Sequence, residues 1–141
     1  SKTPIFFDLA SVGTMDRFGR RRILDFLPNV QCLIMNEDEA RYLAQAEPRD
    51  SSAFYLSLVE LAVVKLGADG ALALKRGPNN AIEESRIKGK TVDVVDTTGA
   101  GDAFAAAFIA SLLSGSKLTE ALEAGDQLAR QCVGIVGARP R

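Results

Sequence analysis

The sequence predicts an α/β fold on a mostly parallel sheet, with some antiparallel strands added in the middle. Three observations carry that expectation. As far as residue 66, short runs rich in Ile, Leu, Val and Phe alternate with segments whose apolar residues recur at helical spacing. Two glycine-containing turns then separate short strand-like runs, which suits antiparallel neighbours. The last third carries long helical patterns. With 141 residues, no internal repeat and no dividing linker, residues 1–141 read as one unit.

Taken in order, PIFFDLA (4–10) is a short apolar run bounded by Pro4, and is predicted as a buried strand. TMDRFGRRRILDFLP (14–28) places Met15, Phe18, Ile23, Phe26 and Leu27 at helical spacing, with Thr14 as cap and Pro28 as stop. Arg20, Arg21 and Arg22 on that helix read as a solvated face. QCLIM (31–35) is a second strand and NEDEARYLAQA opens a second helix. SSAFYLSLVE is predicted as a third helix, leading into the strand LAVVKL (61–66). GADG (67–70) and GPNN (77–80) are turns, the second followed by polar AIEESRIK and the strand TVDVV. Residues 103–113 are apolar nearly all round, which predicts a buried helix. On the final helix, Leu118, Ala121, Leu122, Leu128, Ala129, Cys132 and Val136 form one stripe.

Composition excludes several chemistries. The charges nearly cancel, 17 Lys+Arg against 18 Asp+Glu, so nothing favours bulk adhesion to nucleic acid or anionic membrane. The absence of histidine removes Ser-His-Asp, Cys-His and His-ligated metal sites. Cys32 and Cys132 stand a hundred residues apart in apolar segments, as buried thiols in a reducing compartment would. No apolar run reaches the length of a membrane span. SKTPIFFDLA holds too short an apolar run, with Asp8 inside it, to read as a secretory signal. A cytoplasmic protein is the expectation.

The chemistry concentrates in VVDTTGAGDAF (94–104), which joins a predicted strand to a predicted helix. Gly99 and Gly101 allow successive backbone N–H groups to converge on one point. A helix beginning near Ala100 adds its unpaired donors and the positive end of its dipole, so an anion, and phosphate above all, suits the turn. Asp102 in the first helical turn then makes sense as a general base for an incoming hydroxyl in phosphoryl transfer. The alternative is that Asp102 merely satisfies the helix dipole and the glycines merely make a tight turn. A dinucleotide-binding fingerprint is a third reading, weakened by Phe104 at the third small position and by the lack of a following strand. No Walker A loop is present, because Gly-Lys-Ser/Thr is missing.

Two further segments carry polar groups at strand ends. Asn36 and Glu39 in NEDE nearly make a capping box, while a Glu beyond a strand's end is also placed to hold a hydrated Mg²⁺. Lys65 in VVKLGADGAL reads either as a snorkelling lysine before an ordinary turn or as a phosphate contact.

DTTGAGDAFAAAFI (96–109) is similar to the C-terminal signature of the ribokinase-like (PfkB-type) carbohydrate kinases. It agrees at Asp96, Thr97, Gly99, Ala100, Gly101, Asp102, Ala106 and Ala107. The resemblance implies a ribokinase-like three-layer α/β/α fold and ATP-dependent phosphorylation of a hydroxyl on a sugar or nucleoside. It implies that Asp102 is the catalytic base and that the amides of Gly99, Ala100 and Gly101 form the anion hole for the γ-phosphoryl. Asn36 and Glu39 resemble the family's N-x-x-E motif, which organises Mg²⁺ and phosphate through water. Gly67 and Gly70 resemble an LG-x-x-G segment lining the nucleotide site, with Lys65 and Thr97 assigned to the same set. CVGIVGARP (132–140) resembles the closing segment that flanks the adenine pocket, which adds Val133 and Gly137. In some relatives the Asp96 region serves a monovalent cation. Asp8 receives no role.

The resemblance runs from Pro4 to Gly137, yet a complete member is roughly twice this length. The chain therefore resembles the C-terminal nucleotide-binding half. The N-terminal half, which supplies most sugar contacts and the lid, has no counterpart in it. A parallel sheet cut at its middle exposes a strand edge, so association through that edge, or with an N-terminal half, is expected. The alternatives are a nucleotide-binding module without catalysis and, behind it, a dinucleotide oxidoreductase fragment.

Overall fold

β2 (Cys32–Asn36) lies between two parallel neighbours, β1 (Phe6–Asp8) and β3 (Leu61–Lys65). Leu33 is in register with Phe7 on one side and Ala62 on the other. Cys32 to Met35 are all buried, because a central parallel strand is covered on both faces and reads as a continuous apolar run. Burial pushes the Cys32 thiol up to about 12, which keeps it neutral. The computed structural model describes residues 4–9, 12–89 and 99–136, without the side chains of 132–136. The predicted strand at 91–95 lies outside the described residues.

The described strands form one five-stranded sheet in the order β1-β2-β3-β4-β5, with β4 spanning Ala71–Arg76 and β5 spanning Ile82–Ile87. The connections 66–70 and 77–81 are too short for a crossover, so β4 and β5 join as antiparallel hairpins. The sheet is mixed, as expected. By contacts the chain forms two compact units, Ser1–Lys65 with Leu72–Glu84, and Leu66–Ala71 with Ser85–Arg141.

In the first unit, the single helix expected over 14–28 is two. α1 (Val12–Phe18) and α2 (Arg20–Phe26) are separated at Gly19, whose φ of 104° no helix accommodates. Thr14 therefore lies inside α1, not at its start. Pro28 does end the segment, in a short 3₁₀ turn. Met15, Ile23 and Leu27 are buried, while Phe18 and Phe26 of the same predicted stripe are exposed. Phe26 still meets Phe7 of β1 edge-on, with ring centroids 5.4 Å apart. Arg20 departs from the solvated face expected of the arginine triplet. Its Nε donates to the Leu43 carbonyl at 2.9 Å, satisfying an acceptor in the last turn of α3 (Glu37–Ala44). α4 (Ser52–Leu56) is a short helix whose Tyr55 hydroxyl donates to the Ala40 carbonyl at 2.8 Å. Polar AIEESRIK, to which no apolar period assigns an element, supplies β5 because its backbone pairs with β4.

In the second unit, α5 (Ala100–Leu113) and α6 (Leu118–Val136) pack on each other. The expectation that 103–113 is buried all round is corrected: only Phe104 and Phe108 are fully buried, and Leu113 is 64% exposed. Within this unit α6 packs on one face of α5. The predicted stripe on α6 is corrected at Leu128, which is exposed. Gly125 already packs against Phe104 near the start of α5, so α6 runs past the end of its partner within another turn. No helix among the described residues is long and apolar enough to cross a membrane.

Gly125 sits inside α6, where alanine is ordinarily the better helix former by about 1 kcal/mol. Here an added Cβ would lie 2.9 Å from a ring carbon of Phe104 and 3.0 Å from its carbonyl oxygen. Gly125→Ala should therefore destabilise the chain, by about 1–3 kcal/mol as other overpacked contacts do. Denaturant unfolding checks the sign, and a gain in stability would contradict the packing described.

Candidate functional site

Three parallel strands end on polar residues in the first unit. β1 ends at Asp8, β2 at Asn36 and β3 at Lys65, and Asn36 is in register with Lys65. The carboxyl end of a parallel sheet is where α/β folds place ligands, because the following helices start there. Asn36 leaves the strand at φ −89° and ψ 177° and caps α3. Its Oδ1 accepts from the Glu39 amide at 2.7 Å, and its own amide donates to Glu39 Oε1 at 2.9 Å. The near-capping box read from the sequence is thus a complete one.

That reciprocal bond holds Glu39 in place with only 3% of its surface exposed. Burial raises its pKa above the usual glutamate value. The hydrogen bond from Asn36 and the charge of Lys65 oppose the rise, while Asp8 and Asp38 add to it. Asp8 therefore belongs to the same electrostatic group, although the sequence alone assigned it nothing. The signal that finds it is topological: Asp8 ends the strand next to the one that delivers Asn36.

Mg²⁺ is held by one or two carboxylates with several retained waters, and the donor set fits. Glu39 and Asp8 are two carboxylates in mutual electrostatic range. Among the described residues no group of three or more His, Cys, Asp or Glu side chains could hold a metal ion.

In the second unit, α5 starts where the sequence predicts. Gly99 is its N-cap with φ 89°, a conformation that a Cβ would strain. The first intrahelical bond runs from the Ala103 amide to the Gly99 carbonyl at 2.9 Å. The amides of Gly99, Ala100, Gly101 and Asp102 therefore have no acceptor within the helix. Asp102 is the third residue of α5, and it is exposed. Donors and a carboxylate thus share one helical turn, which can bind an anion and accept a proton beside it.

Gly67 and Gly70, paired by the sequence, differ in the structure. Gly67 has φ 59° and nothing within 4 Å of where a Cβ would be, so its backbone faces open space. Gly70, with φ 99°, is packed against the chain itself: a Cβ there would collide with the Ile87 carbonyl oxygen and the Lys88–Gly89 peptide. Lys65 is half-buried in the first unit beside Asn36, where it acts on Glu39. Asp96, Thr97 and Gly137 lie outside the described residues, as do the side chain of Val133 and that of Cys132.

The family model for the pfkB family carbohydrate kinases matches residues 10–140. The chain belongs to that family. Among curated relatives, this pfkB-family chain is 30% identical to adenosine kinase of Schizophyllum commune, over 97% of its own length and 44% of the relative's. It is 34% identical to ATP-dependent 6-phosphofructokinase of Thermoanaerobacterium thermosaccharolyticum, over 85% of its length and 36% of that enzyme's. The fold matches adenosine kinase from Sinorhizobium meliloti with a TM-score of 0.84 at 28% identity, covering 97% of this chain and 41% of that one. It also matches aminoimidazole riboside kinase from Salmonella enterica, complexed with aminoimidazole riboside and an ATP analog, with a TM-score of 0.75 at 26% identity. That match covers 92% of this chain and 46% of the kinase. The chain thus spans less than half the length of these relatives, and the fold is ribokinase-like.

The raised pKa of Glu39 has a consequence for folding. The folded chain holds this proton more tightly than the unfolded chain does. Stability from this group is therefore full below the ordinary glutamate value and is lost as pH rises through the raised one. In metal-free buffer, Glu39→Gln should flatten that part of the stability-against-pH curve. Parallel curves for the two proteins would show that Glu39 is not held as described.

Proposed function

We propose that this chain is the nucleotide-binding and catalytic portion of a kinase that transfers the γ-phosphoryl of ATP to a hydroxyl of a sugar or nucleoside. The observation that carries the reading is the start of α5. Four amides without helical acceptors stand in the same turn as an exposed carboxylate, Asp102. Asp102 takes the proton of the acceptor hydroxyl as its oxygen bonds to the γ-phosphorus and the bond to ADP breaks. The amides of Gly99, Ala100 and Gly101 stabilise the charge on the transferring group. Gly67 offers exposed backbone to the nucleotide and Gly70 shapes the turn beside it. Thr97 and Gly137 complete the nucleotide set, and Lys65 adds a positive charge.

Asn36 and Glu39 organise Mg²⁺ through water, and the ion, when bound, offsets negative charge on the phosphates. The capping bond keeps Glu39 in one orientation for that task. Asp96 shapes the loop before Gly99, with a monovalent cation there as a further element of the proposal. A cytoplasmic location belongs to the same reading.

A second reading has one observation in its favour: the chain covers less than half of its relatives. On that reading it binds nucleotide and transfers nothing. Calorimetric titration with ATP, with and without Mg²⁺, followed by a transfer assay over sugar and nucleoside acceptors, separates the two. Saturable, Mg²⁺-sensitive binding with transfer supports the kinase. Asp102→Asn should then lower turnover by roughly 10²–10⁴ with ATP affinity retained. Binding without transfer favours the module, and near-normal turnover in Asp102→Asn would sink the role of the base.

The edge of β1 carries a proposal about assembly. β1 pairs with β2 alone among the described strands; Ile5, just before it, and Phe26, which meets Phe7 of β1, are 44% and 41% exposed. We assign this edge to association, in isolation with a second copy and in a longer kinase with the N-terminal half of the sheet. Light scattering after size exclusion should show a mass that rises with concentration, and Phe7→Lys should suppress it. A stable, cooperatively unfolding monomer at every concentration would overturn the assignment.

A further inference from the structure

We propose that Gly89 is a positioning residue for the nucleotide turn at 67–70, an inference that rests on the assignment of that turn to ATP. The turn is held by its own backbone: the Leu66 amide donates to the Gly70 carbonyl at 2.7 Å, the Asp69 amide to the Leu66 carbonyl at 3.0 Å and the Gly70 amide to the Gly67 carbonyl at 3.1 Å. Besides those bonds, the turn packs directly against residues 87–89, within the same compact unit.

Both partners at this contact lack a side chain, and each lacks it because of the other. A Cβ on Gly70 would meet the Ile87 carbonyl oxygen and the Gly89 amide nitrogen. A Cβ on Gly89 would meet the Ala68 carbonyl oxygen and the Gly70 amide nitrogen. Two backbones are therefore pressed together with no side-chain layer between them. Such a contact cannot yield gradually, because the atoms on both sides are main chain. Gly89 differs from Gly70 in one respect. The φ of Gly70 is positive, whereas Gly89 has no such conformational demand, so space alone requires glycine there. Gly67, which faces open space, is left as the part of the turn that a nucleotide can approach. Displacing 68–70 would move it.

The test uses this chain and ATP with Mg²⁺. Gly89→Ala should weaken ATP affinity by about tenfold or more, a difference of about 1.4 kcal/mol. It should also speed amide exchange at Leu66, Asp69 and Gly70 while leaving β2 and α6 protected. Lys88→Ala, which alters the same segment without adding a Cβ at the contact, should leave ATP affinity unchanged. A folded Gly89→Ala with normal ATP affinity overturns the proposal, as does an equal loss in Lys88→Ala.

Should Gly89→Ala not fold, the wild-type chain decides. Titration with ATP should shift the backbone amide resonance of Gly89 together with those of residues 67–70. Shifts at 67–70 without one at Gly89 overturn the coupling alone. No ATP-dependent shift at 67–70 overturns the nucleotide assignment itself, and the inference with it.

Discussion

The parallel pairing of β2 with β1 and β3 is the constraint on which the first unit depends. Parallel strands are joined through crossovers, so each connection must leave the sheet, form a helix and return. α1 and α2 lie between β1 and β2, and α3 and α4 between β2 and β3. That connectivity directs all three strands the same way and brings their carboxyl ends to one edge. Asp8, Asn36 and Lys65 come from positions 8, 36 and 65, yet each ends a strand of that edge.

At that edge one hydrogen-bonding arrangement joins the end of β2 to the start of α3. Asn36 closes the strand, caps the helix and fixes the Glu39 carboxylate, which is buried in consequence. A buried carboxylate resists ionisation, and it remains poised to gain from a cation. The choice between capping box and metal-organising acid, open at the level of sequence, is therefore not a choice between incompatible geometries. The cap engages Oε1, and burial raises the Glu39 pKa against the opposing effects of the Asn36 bond and the Lys65 charge.

The glycines divide in a comparable way. Gly99 is required by a positive φ at a helix start, where the first amides have no acceptor within the helix. Gly67 leaves backbone exposed, Gly70 and Gly89 let backbone touch backbone, and Gly125 admits the Phe104 ring between two helices. Sequence spacing treats Gly67 and Gly70 alike, whereas their surroundings assign one to open space and the other to packing.

Several features were legible in the amino-acid order by itself. The apolar runs of β2 and β3, the Asn36–Glu39 spacing and the Gly99–Asp102 helix start are local, and their physics is settled by residues a few positions apart. The same holds for the family signature, which is one contiguous stretch. Other features needed partners distant in sequence. The polar segment 82–87 becomes a strand because β4 offers it hydrogen bonds, not because of any period of its own. The apolar circumference of α5 is only partly buried because α6 covers one face. Asp8 joins Glu39 because one crossover makes the strand of Asp8 the neighbour of the strand that leads into α3. Local preference determined which segments are helix, turn and core strand. Tertiary structure decided which charges meet and which glycines touch, because those depend on distances that no spacing along the chain encodes.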